Sequence, residues 1–284
     1  MRKAAKVWLR IAAALVVIGC VLFAAVMSAL RWDFTKLSTV RYETRIYEID
    51  EAFSDISLTS DTADIVLARS ADGTCSVECE EEENAKHTVV VENGALTVRI
   101  DDQRSWQDRI RFSFGSPRIT VYLPAADYAE LSVRGSTGDV TVSKKLSFTN
   151  IDISVSTGSV TVSGANCKGN ITVGTATGGV CLSDISCRSL LSGGTTGNIT
   201  LDRVIASERI SIERSTGNVG LEDSDAAEIF VRTGTGNVSG SLLSDKVFLV
   251  QTGTGNVDVP QTTTGGRCEI ETGTGDIEME ICGK

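Results

Sequence analysis

Residues 210–221 read Ile-Ser-Ile-Glu-Arg-Ser-Thr-Gly-Asn-Val-Gly-Leu, and this stretch decides the fold. Its central motif, Thr-Gly-x-Val or Thr-Gly-x-Ile, recurs eight times in the chain at intervals of 19 or 20 residues. The repeated turn residues are Thr137, Gly138, Thr157, Gly158, Thr177, Gly178, Thr196, Gly197, Thr216, Gly217, Thr235, Gly236, Thr254, Gly255, Thr274 and Gly275. A fixed period of about 20 residues is typical of a solenoid, in which each repeat stacks on the next.

Apolar residues occupy fixed places around each repeated threonine. Ile210 and Ile212 precede Thr216, and Val219 and Leu221 follow it. A spacing of two places both members of a pair on the same face of a strand. The connections are too short for a helical crossover, so we predict an all-β fold for the repeats. An N-terminal transmembrane helix, argued below, precedes them. The fold is a single-stranded parallel β-helix of about eight coils, and one inward column is Val140, Val160, Val180, Ile199, Val219, Val238, Val257 and Ile277.

A second column lies two residues after the threonines and is polar. The candidate polar ladder is Asn198, Asn218, Asn237, Asn256 and Asp276. One interpretation is a site for an ion or a glycan. The other is that Asn and Asp suit tight turns and that stacked amides hydrogen-bond one another. We favour the second interpretation, because it accounts for the column without a ligand.

The first 30 residues indicate a membrane anchor. Four basic residues, Arg2, Lys3, Lys6 and Arg10, precede an apolar run over residues 11–30. Such a run spans a bilayer, and basic residues on its N-terminal side predict a cytoplasmic N-terminus in the cell membrane. A cleaved signal peptide is one alternative. A lipoprotein is another, since Val17-Ile18-Gly19-Cys20 resembles a lipobox.

Beyond the anchor, we expect a juxtamembrane linker over residues 31–44 and an extracytoplasmic β-helix domain over residues 45–284. Residues near Thr62 reproduce the repeat frame as a degenerate first coil. Residues 75–123 predict a hairpin-rich insertion, with turns at Asn93-Gly94 and at Gly115-Ser116-Pro117. Within the insertion, Glu80 to Glu83 is an acidic run that we interpret as a solvated loop. Regular Thr-Gly coils follow over residues 129–284.

The charge balance disfavours nucleic acid as a partner. Four of the 27 basic residues and none of the 37 acidic residues lie in the first 30 positions, so the rest of the chain carries a net charge of −14. A polyanion such as nucleic acid is repelled by such a surface.

The sequence predicts no catalytic, cofactor or metal site. His87 is the single histidine, and there is no Cys-x-x-Cys pair, so a zinc site is not expected. The acidic residues are scattered across the columns of the repeat. Cys167 and Cys187 should lie near each other in successive coils, and both a disulfide and a pair of buried thiols remain open.

Three features together resemble a known family. They are the anchor, the run Arg118-Ile119-Thr120-Val121-Tyr122-Leu123-Pro124 leading into Ala129-Glu130-Leu131-Ser132-Val133, and the serial Thr-Gly coils. The sequence is similar over about residues 45–282 to the bacterial putative-adhesin β-strand-repeat family, also called the Toastrack domain. The resemblance implies a β-helical extracytoplasmic module, often associated with envelope-stress sensing, and no catalytic residues.

We therefore expect a noncatalytic, membrane-anchored cell-surface module that is adhesin-like or envelope-sensing. Its rigid solenoid would bind a wall, a glycan or an envelope protein. The alternative is a carbohydrate-active β-helix enzyme, although aromatic residues for stacking on sugars are only 5% of the chain. We also expect residues 278–284 to form the open edge of the C-terminal coil. One interpretation, which we favour, is that the charges of Glu278 and Glu280 blunt this edge; the other is that another chain covers it, through which the chain could associate with itself.

Overall fold

The structure, a computed structural model, describes residues 2–33, 42–82, 85–102 and 117–282. The described helix belongs to one compact unit and the described strands to another. The helix is α1 (Arg2–Ala29). The strands in chain order are β1 (Tyr42–Ile49), β2 (Asp55–Ser60), β3 (Asp64–Arg69), β4 (Cys75–Glu82), β5 (Ala85–Glu92), β6 (Ala95–Asp102), β7 (Arg118–Leu123), β8 (Asp127–Thr137), β9 (Val140–Val142), β10 (Ser147–Thr157), β11 (Val160–Ser163), β12 (Asn166–Cys167), β13 (Asn170–Thr177), β14 (Val180–Thr196), β15 (Ile199–Thr216), β16 (Val219–Thr235), β17 (Val238–Leu242), β18 (Lys246–Thr254), β19 (Val257–Asp258), β20 (Gly266–Thr274) and β21 (Ile277–Ile281).

Helix α1 is apolar over most of its length. Its stretch Lys6–Ala29 has 24 residues, and an 18-residue window within it has a mean hydropathy of 2.7. At 1.5 Å per residue that length exceeds the hydrocarbon core of a bilayer, which is about 30 Å thick. The helix is therefore a candidate membrane span or signal sequence.

The strands follow the alternation of the sequence. In β15, Ile199, Leu201, Ile210 and Ile212 are buried and point into one core. Val219 pairs in parallel with Ile199 of the preceding coil and with Val238 of the next, and the same register holds along the array. Seven members of the predicted column, Val140, Val160, Val180, Ile199, Val219, Val238 and Ile277, are at most 2% exposed. The prediction of an all-β solenoid is confirmed.

Glycine at the turn lets successive coils approach closely. Gly217 has φ +149°, a conformation that side chains disfavour. Its backbone N–H donates to Thr235 O in the next coil at 2.8 Å. An added Cβ would lie 2.1 Å from Gly197 O of the preceding coil, so a larger residue does not fit at this distance.

The coils do not stack entirely in chain order. Thr235 pairs with Thr274, and Thr274 pairs on its other side with Thr254. The coil around Thr274 therefore lies between the coils around Thr235 and Thr254. The coils present nearly the same inward pattern, with Ser192 and Gly240 as departures, so a neighbour in space need not be a neighbour in sequence.

This order corrects the prediction of an open edge at residues 278–284. Strand β21 pairs with β17 on one side and with β19 on the other. The coil at the end of the described array is instead formed by β18, the Thr254 turn and β19. We call these residues, 246–258, the distal coil.

The array extends at its other end through the degenerate first coil. Ile56 and Ile65 pair with Leu131 and Val140, which stacks β2 and β3 on the first regular coil. Strands β6 and β7 stack in parallel on the opposite side of β2 and β3. The long interval between Thr62 and Thr137 is thus an interruption in sequence and not in the stack.

Antiparallel strands cover this end. Strand β5 pairs with β6 across the Asn93-Gly94 hairpin, and β4 pairs with both β7 and β1. Residues 110–114, which were expected to form a second hairpin with β7, lie outside the described residues. Strand pairing thus covers the end that carries β6 and β7, whereas the distal coil has one neighbour in the described chain.

Candidate functional site

The candidate polar ladder forms a continuous hydrogen-bonded column. The backbone N–H of Asn218 donates to Asn198 Oδ1 at 2.9 Å, and that of Asn237 donates to Asn218 Oδ1 at 2.9 Å. The column continues through Asp276, whose N–H reaches Asn237 Oδ1, and ends at Asn256, whose N–H reaches Asp276 Oδ1. Each of these side-chain oxygens satisfies the backbone of the adjacent coil. This use favours a structural role for the ladder over ligand binding.

The core is open at the distal coil. Val257 occupies the same column as the seven buried residues given above, yet it is 45% exposed. Phe248 and Val250 of the same coil, and Val259 immediately after it, are only partly buried against the core. Any chain that stacked on this coil would therefore cover apolar surface, and burial contributes about 25 cal/mol for each Å² removed from water.

The backbone of the distal coil is also open on one side. Among the described strands, β18 pairs with β20 and β19 pairs with β21, each along one edge. Leu249 projects from β18 and is 49% exposed. An unpaired strand edge with exposed apolar side chains is a template for the addition of another strand.

A buried ion pair fixes the start of the distal coil to the array. Lys246 Nζ lies 2.5 Å from Asp225 Oδ1, and the lysine side chain is 2% exposed. Lys246 Nζ also donates to Ser244 Oγ at 2.5 Å. These contacts anchor β18 to the core, so the open edge is presented by an anchored strand.

An acidic cleft lies beside the distal coil. Its volume is about 450 Å³, and it is lined by four carboxylates, Glu222, Asp258, Glu278 and Glu280. The expectation that acidic residues are scattered across the columns is wrong at this place. Stacking brings together positions four and six residues after the turn threonines of three coils, one of which is out of chain order.

The buried cysteines behave as small apolar side chains. Cys167 and Cys187 are free thiols, are buried and lie in adjacent coils. Burial raises the pKa of the Cys187 thiol to about 12, so it is protonated and unreactive at neutral pH. The alternative of buried thiols therefore describes this pair in the structure, and no disulfide joins them.

One cluster was missed by the reasoning from sequence. Cys79, Glu81 and His87 are buried together, with one ligand atom from each lying within 4.8 Å of the others. The prediction of a solvated loop at Glu80 to Glu83 is wrong for the described residues, because Glu81 lies within β4 and is 1% exposed. The alternation of Cys75, Val77 and Cys79 along β4 is the signal that could have placed Glu81 inward.

Comparison with known proteins identifies the family. The profile of the family described as Toastrack DUF4097 matches residues 53–284. No curated protein matches the chain. The crystal structure of a putative adhesin from Bacteroides fragilis is similar with a TM-score of 0.54 and 17% sequence identity, covering 84% of this chain and 97% of that one. A putative lipid binding protein from Parabacteroides distasonis has a TM-score of 0.48 and 17% identity, with 86% and 98% covered.

The first of these structures supports the β-rich fold, since an identity of 17% carries no more than the fold. The family match covers more than half of the chain and includes the degenerate first coil, the antiparallel strands β4 and β5 and the described Thr-Gly repeats. This protein is a member of the Toastrack family.

Proposed function

We propose that this protein is a noncatalytic, membrane-anchored module of the cell envelope that binds a protein partner at its distal coil. The exposure of Val257 is the observation that supports this function, because the same column is otherwise closed along the array. The partner adds an extended segment to the free edge of β18. That segment completes the backbone hydrogen bonds of the edge and covers the open core.

The surroundings define the chemistry of the partner. Phe248, Leu249 and Val257 require apolar side chains on the incoming strand. The four carboxylates of the acidic cleft favour basic residues beside that strand, since opposite charges steer association and fix its register. A glycan offers neither a row of backbone amides nor a basic flank. We therefore assign a basic, apolar-cored segment of an envelope protein.

The membrane anchor is part of the proposal. Helix α1 has the length and hydropathy of a span, and Lys6 and Arg10 lie toward its N-terminal end. This asymmetry orients the N-terminus to the cytoplasm and the β-helix to the outside.

Site-specific photo-crosslinking in intact cells tests the proposal. A photoreactive amino acid replaces Leu249 at the open edge in one variant. The matched control replaces Leu191, which is 50% exposed in the middle of the array. We expect an adduct with an envelope protein from position 249 and none from position 191, with the crosslinked peptide extended, apolar and flanked by Lys or Arg.

Each other outcome overturns the assignment. Adducts of equal yield at both positions mean that the open edge is no more reactive than the rest of the surface. An adduct between two copies of this chain would show that the edge mediates self-association and does not bind a different envelope protein. The absence of any adduct at position 249 would exclude the open edge as a docking site.

A glycan-cleaving β-helix enzyme is the second candidate function, and the acidic cleft is the observation that favours it. Such enzymes place two carboxylates across the scissile bond. The nine residues that line this cleft include no aromatic ring for stacking on a sugar. Release of reducing ends from cell-wall polysaccharide that is lost in Glu278→Gln or Glu280→Gln would establish the enzyme in place of the binding module.

A further inference from the structure

The buried cluster of Cys79, Glu81 and His87 has the composition of a metal site. Cys79 and Glu81 are two residues apart on β4, so both point into the core, and His87 faces them from β5. Their exposures are 0%, 1% and 5%. One sulfur, one carboxylate oxygen and one imidazole nitrogen lie within 4.8 Å of one another.

Hydrogen bonds organise half of this cluster. Glu81 Oε2 accepts the backbone N–H of His87 at 2.5 Å and lies 3.1 Å from His87 Nδ1. Tyr47 on β1 donates to the backbone carbonyl of His87 at 3.1 Å, which fixes β5 at this point. The positions of the carboxylate and the ring are therefore set by the backbone of two strands and not by rotamer freedom.

The other half of the cluster has no hydrogen-bond partner within the described residues. Glu81 Oε1 and His87 Nε2 are both buried and have no hydrogen bond there, although Arg45 Nε lies 3.4 Å from Glu81 Oε1 in an ion pair. Each such atom costs about 1–3 kcal/mol when it is withdrawn from water without a replacement bond. A ligand that all three side chains bind would give His87 Nε2 the partner that it lacks among the described residues.

The charges at the site fit a divalent cation. The Glu81 carboxylate has one nearby cation among the described residues, Arg45, whose Nε is 3.4 Å from Oε1 and whose side chain is 43% exposed. An imidazole binds a cation through the lone pair of an unprotonated ring nitrogen. A buried thiol such as that of Cys79 binds a cation as the thiolate and releases its proton.

We propose that Cys79, Glu81 and His87 bind one Zn²⁺ ion. Thiolate sulfur, imidazole nitrogen and carboxylate oxygen are the three ligand types that zinc uses in proteins, and tetrahedral zinc leaves a fourth position for water. On binding, the Cys79 S–H bond breaks and the proton goes to solvent. The electron pair left on the sulfur forms the bond to zinc. The ion ties β4 to β5 in the group of strands that covers the array opposite the distal coil.

The test uses the full chain purified in detergent and stripped of metal with a chelator. Zinc is added back and the bound metal is counted by mass spectrometry, and the affinity is measured against a chromophoric chelator. We expect one equivalent for each chain and a melting temperature that rises with free zinc. Cobalt added in place of zinc gives the ultraviolet thiolate-to-metal band, which reports the sulfur ligand directly in the unaltered chain.

Two substitutions and one matched control assign the ligands. Cys79→Ser and His87→Gln are expected to weaken zinc binding by more than about 100-fold, beyond the loss that removal of an outer hydrogen-bond partner causes. Cys75→Ser removes a thiol that is buried on the same strand but outside the cluster, and it should retain the affinity and the cobalt band.

The wild-type chain by itself can overturn the proposal, so the test does not depend on the folding of the variants. Binding of no zinc by the stripped chain, or a cobalt spectrum without the thiolate band, excludes the site. Equal loss of binding in Cys75→Ser and Cys79→Ser, or unchanged binding in Cys79→Ser and His87→Gln, likewise overturns it.

Discussion

The close approach of coils at the Thr-Gly turns predicts a large cost for one added methyl group. In Gly217→Ala, the new Cβ would lie 2.1 Å from Gly197 O. A carbon and a carbonyl oxygen normally approach no closer than about 3.3 Å. The two coils must therefore separate locally by about 1 Å, which breaks the contacts that hold this turn.

The magnitude follows from the contacts at the turn. An alanine at φ +149° costs about 1–3 kcal/mol in backbone strain. Separation also disrupts the bonds from Gly197 N–H to Thr216 O, at 3.0 Å, and from Asn218 N–H to Asn198 Oδ1, at 2.9 Å. At about 1 kcal/mol for each bond, the total is about 3–5 kcal/mol. For a domain of this size, that corresponds to a melting temperature lower by about 6–20 °C.

Thermal unfolding followed by circular dichroism measures this effect, and the chain offers a matched control. Gly193 lies in β14, and a Cβ added there would meet nothing within 4 Å. We expect Gly193→Ala to leave the melting temperature unchanged or to raise it slightly, since alanine loses less conformational entropy on folding. Equal effects of the two substitutions would refute the argument that intercoil distance demands glycine at position 217.

Four further predictions follow from other parts of the structure. Val219→Asp buries an unpaired charge at a position that is 1% exposed, so it should destabilise the array by about 3 kcal/mol or more, and an unchanged melting temperature would contradict the inward placement. The coil order predicts that a cysteine pair introduced at positions 239 and 278, which are in register, oxidises to a disulfide. A pair at positions 239 and 258, which lie two coils apart, should not. The reverse result would show that the coils stack in the order of the chain. Burial raises the pKa of Cys187 and of Cys268 to about 12. Above about pH 9 the unfolded chain loses protons from these thiols that the folded chain still holds. The free energy of unfolding should therefore fall as the pH rises above about 9, by up to about 1.4 kcal/mol per pH unit for each thiol. Denaturant unfolding between pH 8 and 11 should show a smaller decline in Cys187→Ala but not in Cys181→Ala, which removes an exposed thiol. Protease added outside intact cells should digest the β-helix and spare an N-terminal tag, and protection of the β-helix would reverse the proposed topology.

Most of the fold was predictable because the apolar positions of the repeat identify the inward face of each strand. Ile210, Ile212, Val219 and Leu221 set the inward columns, and the same four places recur in each coil. Periodicity identifies which residues face the core and where the chain turns. It does not identify which coil lies next to which, because the inward patterns of β18 and β20 are interchangeable. The exchanged stacking order of the last two coils could therefore be determined only from the structure.

The candidate sites were less predictable for a related reason. The acidic cleft depends on the exchanged coil order, since β21 brings Glu278 and Glu280 beside Glu222 and Asp258. Glu81 is one of four consecutive acids, and an acidic run usually lies in solvent. Its burial follows from the pairing of β4 with β1 and β7, which is a long-range contact that composition does not reveal.

The exchanged coil order has a consequence for how the chain folds as it is synthesised. Synthesis delivers residues from the N-terminal side, so each regular coil can dock on the preceding one as it emerges. Residues 246–258 break this sequence, because the surface on which they stack is formed by residues 266–281, which emerge later. The two coils must therefore close as one cooperative step, and the distal coil is completed only after residues 266–281 have been synthesised.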